Sequence, residues 1–84
     1  MCADEIRRKL KESIARITGI GIDDISEDQS YRDDLGLDSL SMLELAVDAE
    51  YEFGVKISDE QLAEITTIAD TIKIIADHLA VSVS

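Results

Sequence analysis

Nucleophilic and acid–base chemistry need a reactive side chain with a partner in reach, and this 84-residue chain offers few. It has one histidine, His78, and one cysteine, Cys2, at opposite ends of the sequence. Cys2 reads as an incidental thiol near a fraying terminus, and a lone cysteine makes neither an internal disulfide nor a cysteine metal cluster. His78 reads as a partly exposed helix residue. That leaves Ser39, in the run Leu35-Gly36-Leu37-Asp38-Ser39-Leu40. Asp38 beside it can cap a helix, but adjacency gives no catalytic geometry, and no Gly-x-Ser-x-Gly elbow is present. Ser39 therefore reads as a hydroxyl that another enzyme modifies, and no catalytic residue is expected.

Other site chemistries are excluded in turn. There is no phosphate-cradling P-loop, and Gly19-Ile20-Gly21 is too short for a dinucleotide fingerprint. The acidic stretch from Asp23 to Asp34 lacks the alternate ligands and terminal Glu of a calcium-binding EF-hand, so no dedicated metal site is expected. Net charge is −11 and uneven: residues 1–16 hold five basic and three acidic groups, and residues 17–84 hold three and sixteen. That field repels nucleic-acid phosphates and steers basic proteins inward. No apolar run approaches the roughly 18 residues of a membrane span, so a cytoplasmic protein without membrane contact is expected.

The elements that must position Ser39 follow from periodicity. Ile6, Leu10, Ile14 and Ile17 form one stripe, predicting a first helix over about 4–18, with Asp4 as N-cap and Gly19 beyond its end. Residues 19–38 keep no period. They form a long loop of turn-formers, pinned by Ile20, Ile22, Ile25, Tyr31, Leu35 and Leu37. A second helix runs from Ser39 to Phe53, with Asp38 or Ser39 as N-cap. Met42, Leu45, Ala46, Ala49 and Phe53 face its core side. Leu40, Glu44, Val47, Asp48 and Tyr51 gather opposite, an apolar and acidic face suited to contact. Gly54 ends the helix, and Val55-Lys56-Ile57 follow as an extended link. Ser58 or Asp59 caps a short helix over about 59–65. Thr67 caps the last helix, with Asp70 completing a carboxylate capping box and Ile68, Ile72, Ile75 and Leu79 as its stripe. Eighty-four residues make one small domain, burying about 60–65% of the unfolded surface.

A group attached at Ser39 by a phosphodiester would lie at the positive end of the second helix, near free backbone N–H groups. The acidic, partly apolar face beside it would present the attachment point to basic partners. No other serine combines these features.

These residues resemble the acyl carrier proteins over nearly the whole chain, from about Ile6 to Leu79. The likeness rests on Asp33-Asp34-Leu35-Gly36-Leu37-Asp38-Ser39-Leu40, on Glu44-Leu45 and on Glu50-Tyr51-Glu52-Phe53-Gly54-Val55-Lys56-Ile57. It continues through Asp59-Glu60 and Ile65-Thr66-Thr67-Ile68. Ser41, Tyr51 and Ser58 depart from an acid, an acid and a proline common at those places. The resemblance implies an all-α four-helix bundle with a long first loop and a short third helix. It implies 4′-phosphopantetheine, transferred from coenzyme A to Ser39 by a magnesium-dependent phosphopantetheinyl transferase, with Asp38 its neighbour at the transfer step. The arm's thiol would hold acyl groups as thioesters.

By the same resemblance, Leu40, Glu44, Val47, Glu50 and Glu52 match recognition positions that meet basic patches on an acyltransferase, a ketosynthase and other synthase enzymes. A growing chain would shelter between the second and fourth helices, lined by Phe53, Ile57, Ile65, Ile72 and Ala76. The expectation is a monomeric, discrete carrier, not itself an enzyme, with fatty-acid synthesis slightly favoured over a polyketide pathway. An aminoacyl or peptidyl carrier is the alternative within the class. A non-modified acidic interaction domain is the alternative outside it, and a calcium sensor is remote.

Overall fold

Four helices account for most of residues 2–80, which the computed structural model describes. Helix α1 spans Ala3–Thr18, α2 Ser39–Phe53, α3 Asp59–Glu64 and α4 Ile68–His78, with a 3-10 turn at Ile22–Asp24 in the first connection. No strand forms among the described residues. A lone antiparallel bridge pairs Ser30 with Thr67. The expected all-α bundle, with its long first loop and short third helix, is the observed one.

Each long helix has one apolar face, and three such faces can leave water together only by meeting at a shared centre. Helix α1 supplies Ile6, Leu10 and Ile14, all fully buried, with Ile17 half-buried at the rim. It packs against α2 and α4. Helix α2 adds Met42, Leu45, Ala46, Ala49 and Phe53, the side predicted from its spacing. Helix α4 adds Ile68, Ile72, Ile75 and Ala76, with Leu79 at the edge.

The helix ends differ from expectation in two places, the start of α1 and the end of α3. Helix α1 begins at Ala3 with Cys2 in the cap position and no side-chain cap bond. Asp4 instead sits inside the first turn, where its carboxylate faces the positive helix end and accepts from Arg7 Nη1 at 3.1 Å. Gly19 closes α1 as expected, at φ 77°, its N–H donating to Ala15 O. That left-handed conformation is strained for any residue with a Cβ. Ser58 is the cap of α3, completed by Gln61. Helix α3 stops at Glu64, and Ile65 is already extended.

The long loop is fastened rather than loose. Ile25, Tyr31, Leu35 and Leu37 are buried, but Ile22, on the 3-10 turn, is exposed beside Arg8 and Lys11. A helix begins with N–H groups that have no partner inside it. Loop carbonyls meet two of those on α4: Gln29 O accepts from Ile68 N at 3.4 Å and Glu27 O from Ala69 N at 2.9 Å. Tyr31 N returns a bond to Thr66 O at 3.0 Å. Arg7 Nε also reaches Glu27 at 2.9 Å, tying α1 to the loop, so part of the basic face of α1 serves an internal contact.

The capping box of α4 is as predicted, with Asp70 Oδ2 accepting from the amides of both Thr66 and Thr67 at 3.0 Å. Those backbone bonds, Thr67's first, hold the Asp70 carboxyl below the usual carboxylate range. A carboxyl depressed in the folded state stabilises the fold above its unfolded pKa of about 4, and this is lost as pH falls through the lower folded value. Urea midpoints should therefore decline below about pH 4. In Asp70→Asn the neutral-pH midpoint should be lower and the acid decline shallower. An unchanged acid limb in that variant would contradict the assignment.

Candidate functional site

Ser39 is the first residue of α2, and its placement is set locally. Asp38 has extended backbone, and its Oδ1 accepts the Ser41 amide at 2.8 Å. Of the two expected caps, Asp38 is the one used. The Ser39 hydroxyl is thereby left uncommitted: it is exposed and bonds to none of the described residues. The Ser41 amide also holds the Asp38 carboxyl below its ordinary range, so Asp38 is an anion beside Ser39. Behind the serine, Gly36 turns the chain at φ 68° and Leu37 N donates to Tyr31 O at 2.8 Å. Leu35 and Leu37 sink into the core. Ser39 is thus held out to solvent by a loop that is itself anchored on α4.

Among the described residues neither the histidine nor the cysteine bonds to it. His78 is exposed in the last turn of α4, and Cys2 is exposed at the start of the chain. Among the described residues no cluster of three metal-ligating side chains exists.

Ser39 opens onto a groove of about 480 Å³ between the loop, α2 and α3. Tyr31, Met42, Leu62 and Ile65 supply its apolar wall, and Arg32, Asp33 and Asp59 its polar one. Arg32 is the single cation on that wall, a residue that sequence reasoning passed over because nothing in the loop's composition marked it. A phosphodiester on Ser39 would have the first-turn N–H groups of α2 and the Arg32 guanidinium nearby, with room for a chain beyond. The residues present fit such a group.

The outer face of α2 is more apolar than its sequence suggested. Leu40 is 65% exposed, Leu43 50%, Val47 57% and Tyr51 88%, forming one stripe beside Glu44. Leu43, Glu44, Val47, Asp48 and Tyr51 frame a shallow hollow. Leu43 was missed. At about 100° per residue it falls about 60° from Leu40 and about 40° from Val47, so the helical wheel held the signal.

Two expected recognition carboxylates have internal partners. Glu50 is half-buried and accepts the Ile57 amide at 2.8 Å, fastening the link after α2. Asp48 Oδ2 meets Arg16 Nη2 at 2.7 Å, joining α2 to α1. Glu44 and Glu52 are the exposed acids of α2 without a partner among the described residues.

An apolar crevice of about 10 Å³ adjoins the groove, sharing Met42, Leu62 and Ile65 with it. Ile57 and Ile65 line it as expected, beside Ala46 and Ala49, whose short side chains leave the gap. Phe53, Ile72 and Ala76 do not line it, although all three are buried. The reason is angular. Helix α4 meets the crevice through Thr71, at one edge of its buried stripe, and Ile72 and Ala76 lie toward the other. Thr71 Oγ1 and the Tyr31 hydroxyl are 2.7 Å apart, and burial pushes the Tyr31 phenol well above its ordinary pKa.

Comparison with known proteins matches this arrangement. The family model described as "Phosphopantetheine attachment site" fits residues 8–75. A meromycolate extension acyl carrier protein of Mycolicibacterium smegmatis is 45% identical over 69 residues, which is 82% of this chain and 70% of that protein. The solved acyl carrier protein of Enterococcus faecalis superposes with a TM-score of 0.80 at 31% identity, covering 93% of this chain and 99% of the other. A candidate acyl carrier protein from Mycobacterium tuberculosis gives 0.79 at 31% identity, over 86% and 96%. The matched span contains Ser39, its groove and the outer face of α2, and the cofactor such a domain takes is 4′-phosphopantetheine. A helical bundle built around a phosphopantetheine attachment site, with relatives of this kind, belongs to the acyl carrier protein family.

Proposed function

We propose that Ser39 is the attachment residue and that the chain works as one discrete carrier domain, a cytoplasmic monomer. The observation that carries this reading is the Ser39 hydroxyl: exposed, without a hydrogen bond to any described residue, at a helix N-terminus and on the lining of a groove. When attached, 4′-phosphopantetheine supplies a terminal thiol on which acyl groups travel as thioesters. The chain's own residues orient that arm. Asp38 fixes the first turn of α2, whose free N–H groups would hold the phosphodiester, and Arg32, on the same groove, would offer a counter-charge. The same Asp38 carboxylate has an oxygen, Oδ2, free to assist the magnesium-dependent transferase.

Incubation with a phosphopantetheinyl transferase and coenzyme A, followed by intact mass analysis, tests this. The gain of one phosphopantetheinyl group is expected, and no gain would remove the reading. An aminoacyl carrier would load too, and would be separated by which acyl groups its partners transfer.

Fatty-acyl chain extension is favoured over polyketide assembly. The second half of the chain most resembles fatty-acid carriers, and the M. smegmatis relative bears a name from chain extension. Partners are synthase enzymes with basic patches, a ketosynthase and an acyltransferase among them, docking on Leu40, Leu43, Val47 and Tyr51 with Glu44 and Glu52 at the rim. A Val47→Lys and Glu44→Lys double variant changes only exposed side chains, so its helix content should hold. Acyl transfer onto its arm should show KM raised about tenfold or more, with kcat little changed. Unaltered KM would show that partners dock elsewhere.

A further inference from the structure

We propose that the hollow between α1 and the 3-10 turn is a second docking surface, which receives an acidic protein segment with an apolar side chain at its centre. The proposal does not depend on Ser39 being the attachment residue.

Charge placement is the first observation. The chain holds eight Lys and Arg residues, and five of them fall within residues 7–16. Cations that only relieve the self-repulsion of an acidic chain belong among its carboxylates. Yet residues 17–84 hold sixteen carboxylates and three cations. Two of the five on α1 have internal work: Arg7 bonds to Glu27 and Asp4, and Arg16 to Asp48. Arg8 and Lys11, three residues apart on one helix face, do not. Arg8 meets Glu12 only at 4.0 Å, with side chains 63% and 59% exposed, a kind of pair that contributes little. Lys11 has no ion-pair partner among the described residues.

Shape and apolar surface are the second. Arg7, Arg8 and Lys11 line a hollow of about 420 Å³ together with Ile22 and Asp23. Asp4 lines it too but is taken up by Arg7, which leaves Asp23 as the hollow's one carboxylate outside an ion pair. Among the described residues five large apolar side chains are exposed. Four stand on α2, and the fifth is Ile22, 38% exposed. A partner that covers Ile22 takes its surface out of water and dries the charges around it, the usual anatomy of a docking anchor.

The complement of this hollow is a set of carboxylates flanking an apolar side chain. A basic partner is drawn instead to the acidic remainder of the molecule. That same remainder repels any broad anionic surface, so a short acidic segment fits better than a nucleic acid or a lipid surface. Neither Ser39 nor any residue of α2 lines the hollow. A segment seated there therefore holds the molecule while leaving both free.

The probe is a synthetic peptide of about 12 residues, rich in Glu and carrying two Leu one helical turn apart, with a control peptide in which Gln replaces both Leu. Binding is read from the amide NMR shifts of the native chain at low ionic strength. Shifts should appear around Arg8 and Lys11 and at Ile22–Asp24, with none over Ser39–Phe53, and affinity should fall as salt is added. Arg8→Gln combined with Lys11→Gln alters side chains outside the core, so helix content should hold while affinity drops about tenfold or more. Lys56→Gln combined with Lys73→Gln removes the same charge elsewhere and should bind as the native chain does. Ile22→Ser, and the Gln control peptide on the native chain, should each bind about fivefold more weakly.

The proposal falls if α1 shows no shifts, if the distant lysine pair costs as much as Arg8 and Lys11, or if the control peptide binds equally well. Sedimentation of the native chain alone covers another occupant. Self-association that Arg8→Gln with Lys11→Gln abolishes would make a second copy the occupant and overturn the proposal. Tighter binding to vesicles of anionic phospholipid than to the peptide would overturn it in favour of a lipid surface.

Discussion

Ser39→Ala emerges from a loading reaction with its mass unchanged. The argument has two halves, one chemical and one structural. An alanine methyl has no lone pair with which to attack a phosphorus atom, and among the other serines Ser41, two residues on, is only partly exposed. The structural half keeps the result interpretable. The cap of α2 is Asp38, whose bond to the Ser41 amide does not involve the Ser39 side chain. An exposed, unbonded hydroxyl can be removed with a stability change within about 0.5 kcal/mol. Helix content and the urea midpoint should match the native chain while loading drops to none. Ser41→Ala should load normally. A phosphopantetheinyl group found on any other residue of Ser39→Ala would overturn the assignment.

Tyr31→Ala is expected to be the most damaging single change to the fold. Tyr31 is the largest fully buried side chain among the described residues and the bulkiest of the loop's buried anchors. Truncating a buried aromatic costs about 3–5 kcal/mol. A chain of this length has only about 4–13 kcal/mol to lose. Unlike a helix core residue, Tyr31 also holds the loop to the segment before α4, through its amide to Thr66 O, and to α4 itself, through the Thr71 hydroxyl. Its carbonyl holds Leu37, two residues before Ser39. Removing the ring should therefore lower the urea midpoint steeply and slow loading even where the helices survive. Tyr31→Phe loses one hydrogen bond and should cost about 1 kcal/mol. If Tyr31→Ala behaves like Tyr31→Phe, the loop is held by its backbone alone.

What could be read from the sequence was what repeats over three or four residues. The stripes of α1, α2 and α4, the Thr67–Asp70 capping box, the closing turn at Gly19 and the cap before Ser39 are all local patterns, and each lies where expected. Contacts between residues far apart in the chain left no such trace. Glu50 resembles a surface acid until the link after α2 brings the Ile57 amide to it. Asp48 looks free until α1 lays Arg16 across it, 32 positions away. Phe53, Ile72 and Ala76 are buried as their spacing requires, yet spacing does not say which side of a core will contain a gap. Tyr31 and Thr71 are 40 positions apart, and only folding makes them a pair. Ser39, the proposed attachment residue, stood out in the sequence because its setting is entirely local.

Helix α3 has six residues, and none is fully buried. Leu62, on this helix, borders both the groove at Ser39 and the crevice beside it. Swinging this segment aside uncovers little apolar surface, so such openings lie at the low end of local unfolding energies. This lightly held segment thus stands between the proposed tether point and the crevice. If Ser39 carries the arm, a shuttle that must surrender its passenger as readily as it hides it could do both here while the three long helices stay shut.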